Sequence, residues 1–163
     1  MRITRTLTGL AITAAFVATA PLAADAATGP SDAVATTTVA KNWGSYYAPG
    51  RAAKAFGSLT ATGEDHEDLP TADTVKISGK VYDLTRSRSC GWAVFRITYR
   101  SGNNLPFKHG VVRDCSYGSP KKFAVKYHDV YQVELKVCSE PKAAQPSLNC
   151  LYAGTWKVLY LSK

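Results

Sequence analysis

The sequence predicts an all-β protein: a single antiparallel β-sandwich, immunoglobulin-like or Greek-key, held by two disulfides. Three observations predict it. Short runs of alternating apolar and polar residues recur from Arg51 to Leu161, punctuated by Gly, Pro, Asn and Ser. No segment keeps a 3.6-residue apolar period, so no amphipathic helix is expected. The chain has 4 cysteines, all beyond residue 89, behind a leader that marks it for export.

The elements follow in chain order. Met1–Ala26 has Arg2 and Arg5, an apolar run from Leu7 to Ala20, and Ala24-Asp25-Ala26, an A-x-A cleavage signal. This is the pattern of a secretory signal peptide. Its apolar run is shorter than the roughly 20 residues a membrane span needs. It has no twin-arginine pair, and no later segment is apolar enough to anchor the protein. Residues 27–40, "ATGPSDAVATTTVA", are small and polar and read as a disordered lead-in. Residues 41–163 form the expected sandwich domain.

In "KNWGSYYAPG" three aromatics stand among glycine and proline. Trp43, Tyr46 and Tyr47 are expected to pack against the sheets from an irregular segment. "RAAKAFGSLTATG" is the first expected strand, and "EDHEDLPTAD" a solvated acidic loop. Asp73–Leu84 sets Val75, Ile77 and Val81 on one face and Lys76, Ser78 and Lys80 on the other. Gly91–Arg100 sets Ala93, Phe95, Ile97 and Tyr99 against Trp92, Val94, Arg96, Thr98 and Arg100. Asp129–Cys138 turns Tyr131, Val133, Leu135 and Val137 inward. Shorter strands are expected over Lys108–Cys115, Lys121–Tyr127, Asn149–Ala153 and Thr155–Leu161.

The cysteines fit this pattern. Gly102-Asn103 suits the two-residue turn of a type II′ hairpin. A hairpin centred there puts Cys90 opposite Cys115, Trp92 opposite Arg113 and Arg96 opposite His109. An exposed Trp92–Arg113 stack would contribute about 0.5–1 kcal/mol. Cys138–Cys150 is then the second pair, closing a loop with Pro141 and Pro146 that is expected to be non-helical. The absence of any C-x-x-C spacing weighs against a zinc site.

Several of these stretches also carry a likeness to known proteins. They are Trp43-Gly44-Ser45-Tyr46-Tyr47, Lys54-Ala55-Phe56-Gly57, Ile77-Ser78-Gly79-Lys80-Val81-Tyr82-Asp83, Cys90-Gly91, Cys115, Val137-Cys138, and Cys150 ahead of Trp156. In this the chain resembles a group of small exported proteins of actinobacteria. They share a W-G-x-Y-Y-like entry, a G-x-V/L-Y-D strand and a late cysteine pair. The resemblance covers most of the chain after the leader. It implies neither an activity nor a catalytic residue.

Net charge is +8, and it is unevenly placed. Residues 27–75 are net acidic, whereas residues 76–163 hold 15 of the 20 Lys and Arg. Such asymmetry favours anionic partners. The candidate binding set is Arg86, Arg88, Trp92, Arg96, Arg100, Lys108, Arg113, Lys121 and Lys122, with Lys126 beside them. Interleaved cations and aromatics suit single-stranded nucleic acid or an anionic polysaccharide. An outer sheet face kept wet by its charges accounts for the same residues. G-x-S-x-G, H-E-x-x-H and D-x-D-x-D patterns are absent, so no hydrolase or calcium motif is present.

The expected function is that of a secreted, monomeric, non-enzymatic interaction module. It takes no cofactor or metal, and its partner is an anionic cell-envelope polymer or an extracellular protein rather than nucleic acid. One alternative is an inhibitor of a foreign hydrolase, docking through residues 139–149. The Trp-Arg-Tyr triplet of amylase-inhibitor domains is missing. A second alternative is a small extracellular hydrolase built on His109 or His128 with a carboxylate.

Overall fold

A computed structural model describes residues 38–163. The expected leader and most of the lead-in lie outside the described residues. The lead-in's last three residues do not: the first strand begins at Thr38, ahead of the expected boundary at Lys41.

Seven strands form an antiparallel sandwich. They are β1 (Thr38–Tyr47), β2 (Ala53–Glu64), β3 (Ala72–Asp83), β4 (Ser89–Tyr99), β5 (Phe107–Asp114), β6 (Lys121–Pro141) and β7 (Lys157–Leu161). A one-turn helix, α1 (Leu148–Tyr152), precedes β7. Strands run in the order β1-β2-β3-β6-β4-β5, with β7 also on β6.

β6 decides the architecture. The sequence divides it into two strands, but it is one strand of 21 residues. Lys121–Val130 pairs with β3, and Val130–Pro141 pairs with β4. The change of partner falls at Val130, beside Asp129, whose φ of 53° marks an irregular step. One layer is therefore β1, β2, β3 and the first half of β6. The other is β5, β4, the second half of β6, and β7. Two rings show that the layers face one another: Trp43 of β1 meets Phe95 of β4 edge-on, with centroids 5.9 Å apart, although these strands are not sheet neighbours.

Between the layers lie Leu59, Val75, Ile77, Val81, Phe95, Ile97, Val133 and Leu135, all buried. This is the inward alternation expected for β3 and β4. The aromatic entry segment lies in a strand, broken as expected by an irregular step between Trp43 and Tyr46, where Gly44 takes a φ of 90°. Trp43 is buried, Tyr46 is half-buried against the core, and Tyr47 is exposed beneath the Arg51 guanidinium at 3.9 Å. Gly57 and Gly79 make room for Trp43 and Phe123. A Cβ on Gly57 would lie 1.9 Å from the Ser78 carbonyl oxygen and 2.7 Å from Trp43 Cζ2.

The β4–β5 hairpin has the expected register, with Trp92 opposite Arg113 and Arg96 opposite His109. Gly102 takes a φ of 59°, as the first central residue of a II′ turn must. Both disulfides, Cys90–Cys115 and Cys138–Cys150, are present.

Two expectations fail around the second disulfide. Residues expected as a strand at Asn149–Ala153 form α1 instead, in the loop expected to be non-helical. Ser147 caps it, its hydroxyl accepting from the Cys150 amide at 3.2 Å, and Pro146 stands just ahead. The crosslink also folds this segment back over the outer face of β4. Trp92, Val94, Cys90 and Cys138 are thereby buried under Cys150, Leu151 and Trp156, forming a second small core. β4 is apolar on both faces for that reason.

Substituting Gly57→Ala is expected to lower unfolding free energy by about 3 kcal/mol, since backbone rather than a side-chain end blocks the new methyl. A urea midpoint unchanged from the parent would refute the close strand–strand packing at this site.

Candidate functional site

The structure scatters the basic residues picked from the sequence. Arg86 and Arg88 are exposed in the β3–β4 loop, with Arg86 4.9 Å from the Tyr117 ring centroid. Trp92 is 1% exposed and offers no ring to a ligand. Arg96 is paired with Glu134 at 2.6 Å and lies 4.6 Å from the Trp156 ring. Arg113 lies 5.3 Å from the Trp92 ring and donates to the Ala143 carbonyl. Lys108 stands over Tyr99 and Tyr127 at the open edge. Lys121, Lys122 and Lys126 belong to the other layer.

Arg100 is also engaged. It bonds Asp65 and Glu67, each at 2.7 Å, and the Leu69 carbonyl. The acidic loop is thus pinned to the second layer rather than merely solvated. Burial would raise the Asp65 pKa, but bonds from Thr71 and Glu67, with Arg100 nearby, hold it below the ordinary value.

A different set comes together on the first layer. Alternation along β2, β3 and the first half of β6 turns every second side chain outward. Register then lines them up in rows: Phe56–Lys80–Lys122, Ser58–Ser78–Ala124 and Thr60–Lys76–Lys126. Lys54 and Tyr82 face each other at one end, and Thr74 and His128 at the other. None of these outward positions is acidic.

Two lysine pairs therefore sit directly opposite one another, Lys80 with Lys122 and Lys76 with Lys126. Like charges at opposed positions destabilise a sheet. Among the described residues no carboxylate lies within 4.0 Å of any of the four. The pairs are four residues apart along the strand, about 13 Å. Between them Ser58 and Ser78 share a 3.0 Å hydrogen bond beside Ala124. These short side chains leave a furrow of about 390 Å³ lined by Lys76 and Lys126, while Lys80 and Lys122 line a neighbouring hollow of about 640 Å³ that shares Ser58 and Ser78. At one end the Phe56 and Tyr82 rings stack at 5.8 Å, with the Lys54 ammonium 4.5 Å from Tyr82. Cations spaced along a shallow furrow, with hydroxyls at its floor and aromatics at its end, can hold a chain of anionic groups.

Of this set the sequence marks Lys122 and Lys126 as candidate binding residues. Lys54, Lys76 and Lys80 are not among the candidates it offers. The outward alternation of Lys76 and Lys80 was visible, but their opposition to Lys126 and Lys122 depends on β3 pairing with β6.

The histidines lie elsewhere. His128 Nδ1 is 3.0 Å from the Asp73 carbonyl. His109 stacks on Trp156 with centroids 5.9 Å apart, and Phe107 and Tyr152 meet it edge-on. Among the described residues, no three His, Cys, Asp or Glu side chains are grouped to hold a metal, and no helix is long and apolar enough to cross a membrane.

Comparison with protein-family models, curated proteins and solved structures found no match to this chain.

Burial first, then Arg96 and Lys136, lower the His109 pKa. A folded-state pKa below the unfolded value of about 6.5 gives stability that is present above that pH and lost as pH falls. His109→Phe, which keeps the stack, is expected to flatten the drop in urea midpoint between pH 7 and pH 5. Equal drops for the two proteins would refute a neutral, packed His109.

Proposed function

We propose that the protein is a secreted, monomeric, non-enzymatic binding module that holds an anionic cell-envelope polymer on its first-layer lysine face. One observation carries the reading: four lysines opposed in pairs across β3 and β6, with no carboxylate among the described residues within 4.0 Å to neutralise them. An anion seated between the pairs relieves a repulsion that the folded chain otherwise bears. The leader pattern, two disulfides and the resemblance to exported actinobacterial proteins support an extracellular setting. In that setting wall polymer, rather than nucleic acid, is the polyanion encountered.

A specific feature also supports the inhibitor reading. The exposed loop after β6 is pinned at three points. Cys138–Cys150 closes its base, Glu140 accepts from the Ser147 amide and hydroxyl at 2.8 and 2.6 Å, and Arg113 donates to Ala143. A rigid protruding loop loses little freedom on docking.

Ionic strength separates the two. Binding of the mature protein to purified phosphate-bearing wall polymer is expected to weaken steeply with salt, with log K linear in log salt. Lys80→Gln with Lys122→Gln is expected to cut affinity at least tenfold at low salt while leaving the unfolding midpoint unchanged or raised. Salt-independent binding, or full affinity in the double variant, would rule out the lysine face.

A further inference from the structure

A second surface is formed beside the start of β7. β4 pairs with β6 as far as Pro141, but β7 pairs with it only from Gln132 to Leu135. Since β4 and β7 both pair with Gln132–Leu135, they occupy opposite edges of β6. Beyond Leu135 the β7 edge has no strand beside it among the described residues. From Lys136 to Glu140 no backbone–backbone hydrogen bond leaves the β4 ladder.

This bare edge lies in a cleft of about 560 Å³. Six consecutive residues, Leu135–Glu140, line it, with Tyr46 and Tyr47 of β1, and Asn149 and Thr155 from the segment around α1. Cys138 lies in the middle of the bare run and is tied to Cys150 in the cleft lining. Natural sheet edges are usually closed to added strands by proline, inward charge or a bulge. Residues 136–140, "KVCSE", have no proline, and the register with β4 is unbroken there. The register shift at Val133/Glu134 lies before the bare run.

The lining also states what charge the occupant has. Lys136 and Lys157 both line the cleft. Its carboxylate, Glu140, is already bonded to Ser147. Lys136 donates its ammonium to the Ala153 carbonyl, so the unbonded charge of the cleft is the Lys157 ammonium, with Tyr46 and Tyr47 in the same lining.

We propose that this cleft receives an extended acidic peptide segment of a partner protein, which adds to β6 as a strand alongside Lys136–Glu140. Main-chain hydrogen bonds would supply the affinity and Lys157 the preference for acidic side chains. The bare run is about 13 Å long, matching four to five residues of an extended chain. This site is separate from the lysine furrow and does not depend on it.

The probe is a blocked hexapeptide of alternating Glu and Val, titrated into the mature protein. Amide hydrogen exchange is expected to slow at least tenfold in the amides of residues 136–140 that point away from β4, and nowhere else along the sheet edges. The same peptide N-methylated at alternate residues keeps its side chains but cannot pair, and is expected to give no protection. Lys157→Glu is expected to weaken binding at least fivefold without changing the unfolding midpoint. Several results would overturn the proposal: equal binding by the N-methylated peptide, equal binding by a Lys/Val version, or protection confined to β1 or β5. So would protection of 136–140 by inorganic polyphosphate alone, which would give the cleft to the polyanion. Protection that rises with protein concentration and no peptide would give it to a second copy of the chain.

Discussion

A single strand hydrogen-bonded into both layers governs the rest of the structure. β6 spends its first half on β3 and its second half on β4, with buried Val130 paired to both. Two open sheets joined only by loops could slide or separate. Sharing a strand fixes their relative position through backbone bonds. The rows of the lysine furrow and the bare edge beyond β7 are both set by β6, one by each half. Neither feature could shift without moving the ladder that defines the core.

The second layer owes its outer face to a covalent constraint. In the chain-entropy account, crosslinks closing loops of these sizes contribute about 3 and 3.5 kcal/mol by restricting the unfolded chain. Cys138–Cys150 has a further effect, because the segment it holds down covers Trp92 and Val94. Burial of the indole and its neighbours offsets the loss of a polar outer face. Arg96, Arg113 and Lys136 are then drawn into ring contacts and carbonyl bonds instead of remaining in water. Residues that look like a reading head in sequence thus serve as the rim of a small core.

Local signals were legible in the sequence and long-range ones were not. The β4–β5 register follows from a Gly-Asn turn with cysteines equidistant from it, and the structure keeps that register. The inward sets of β3 and β4 follow from strict alternation. Trp92 misleads because alternation assigns it a face without saying what later chain returns to cover it. α1 is a single turn, too short for any period to show, and it exists through one cap and one crosslink. The fusion of two apparent strands into β6 is hidden by Tyr127-His128-Asp129, whose polar character suggests a turn. The furrow depends on β3 and β6 becoming neighbours across some forty intervening residues, which no window of sequence contains.

The opposed lysines tie folding to occupancy. Charges that repel in the native state, and much less in an expanded chain, make the empty protein less stable than its core would allow. A ligand that binds only the folded form adds free energy in proportion to the logarithm of its excess, about 2.7 kcal/mol at a hundredfold excess over the dissociation constant. A molecule built this way is sturdiest where counter-charge is dense and weakest in dilute solution, so its lifetime against extracellular proteases becomes a function of where it is lodged.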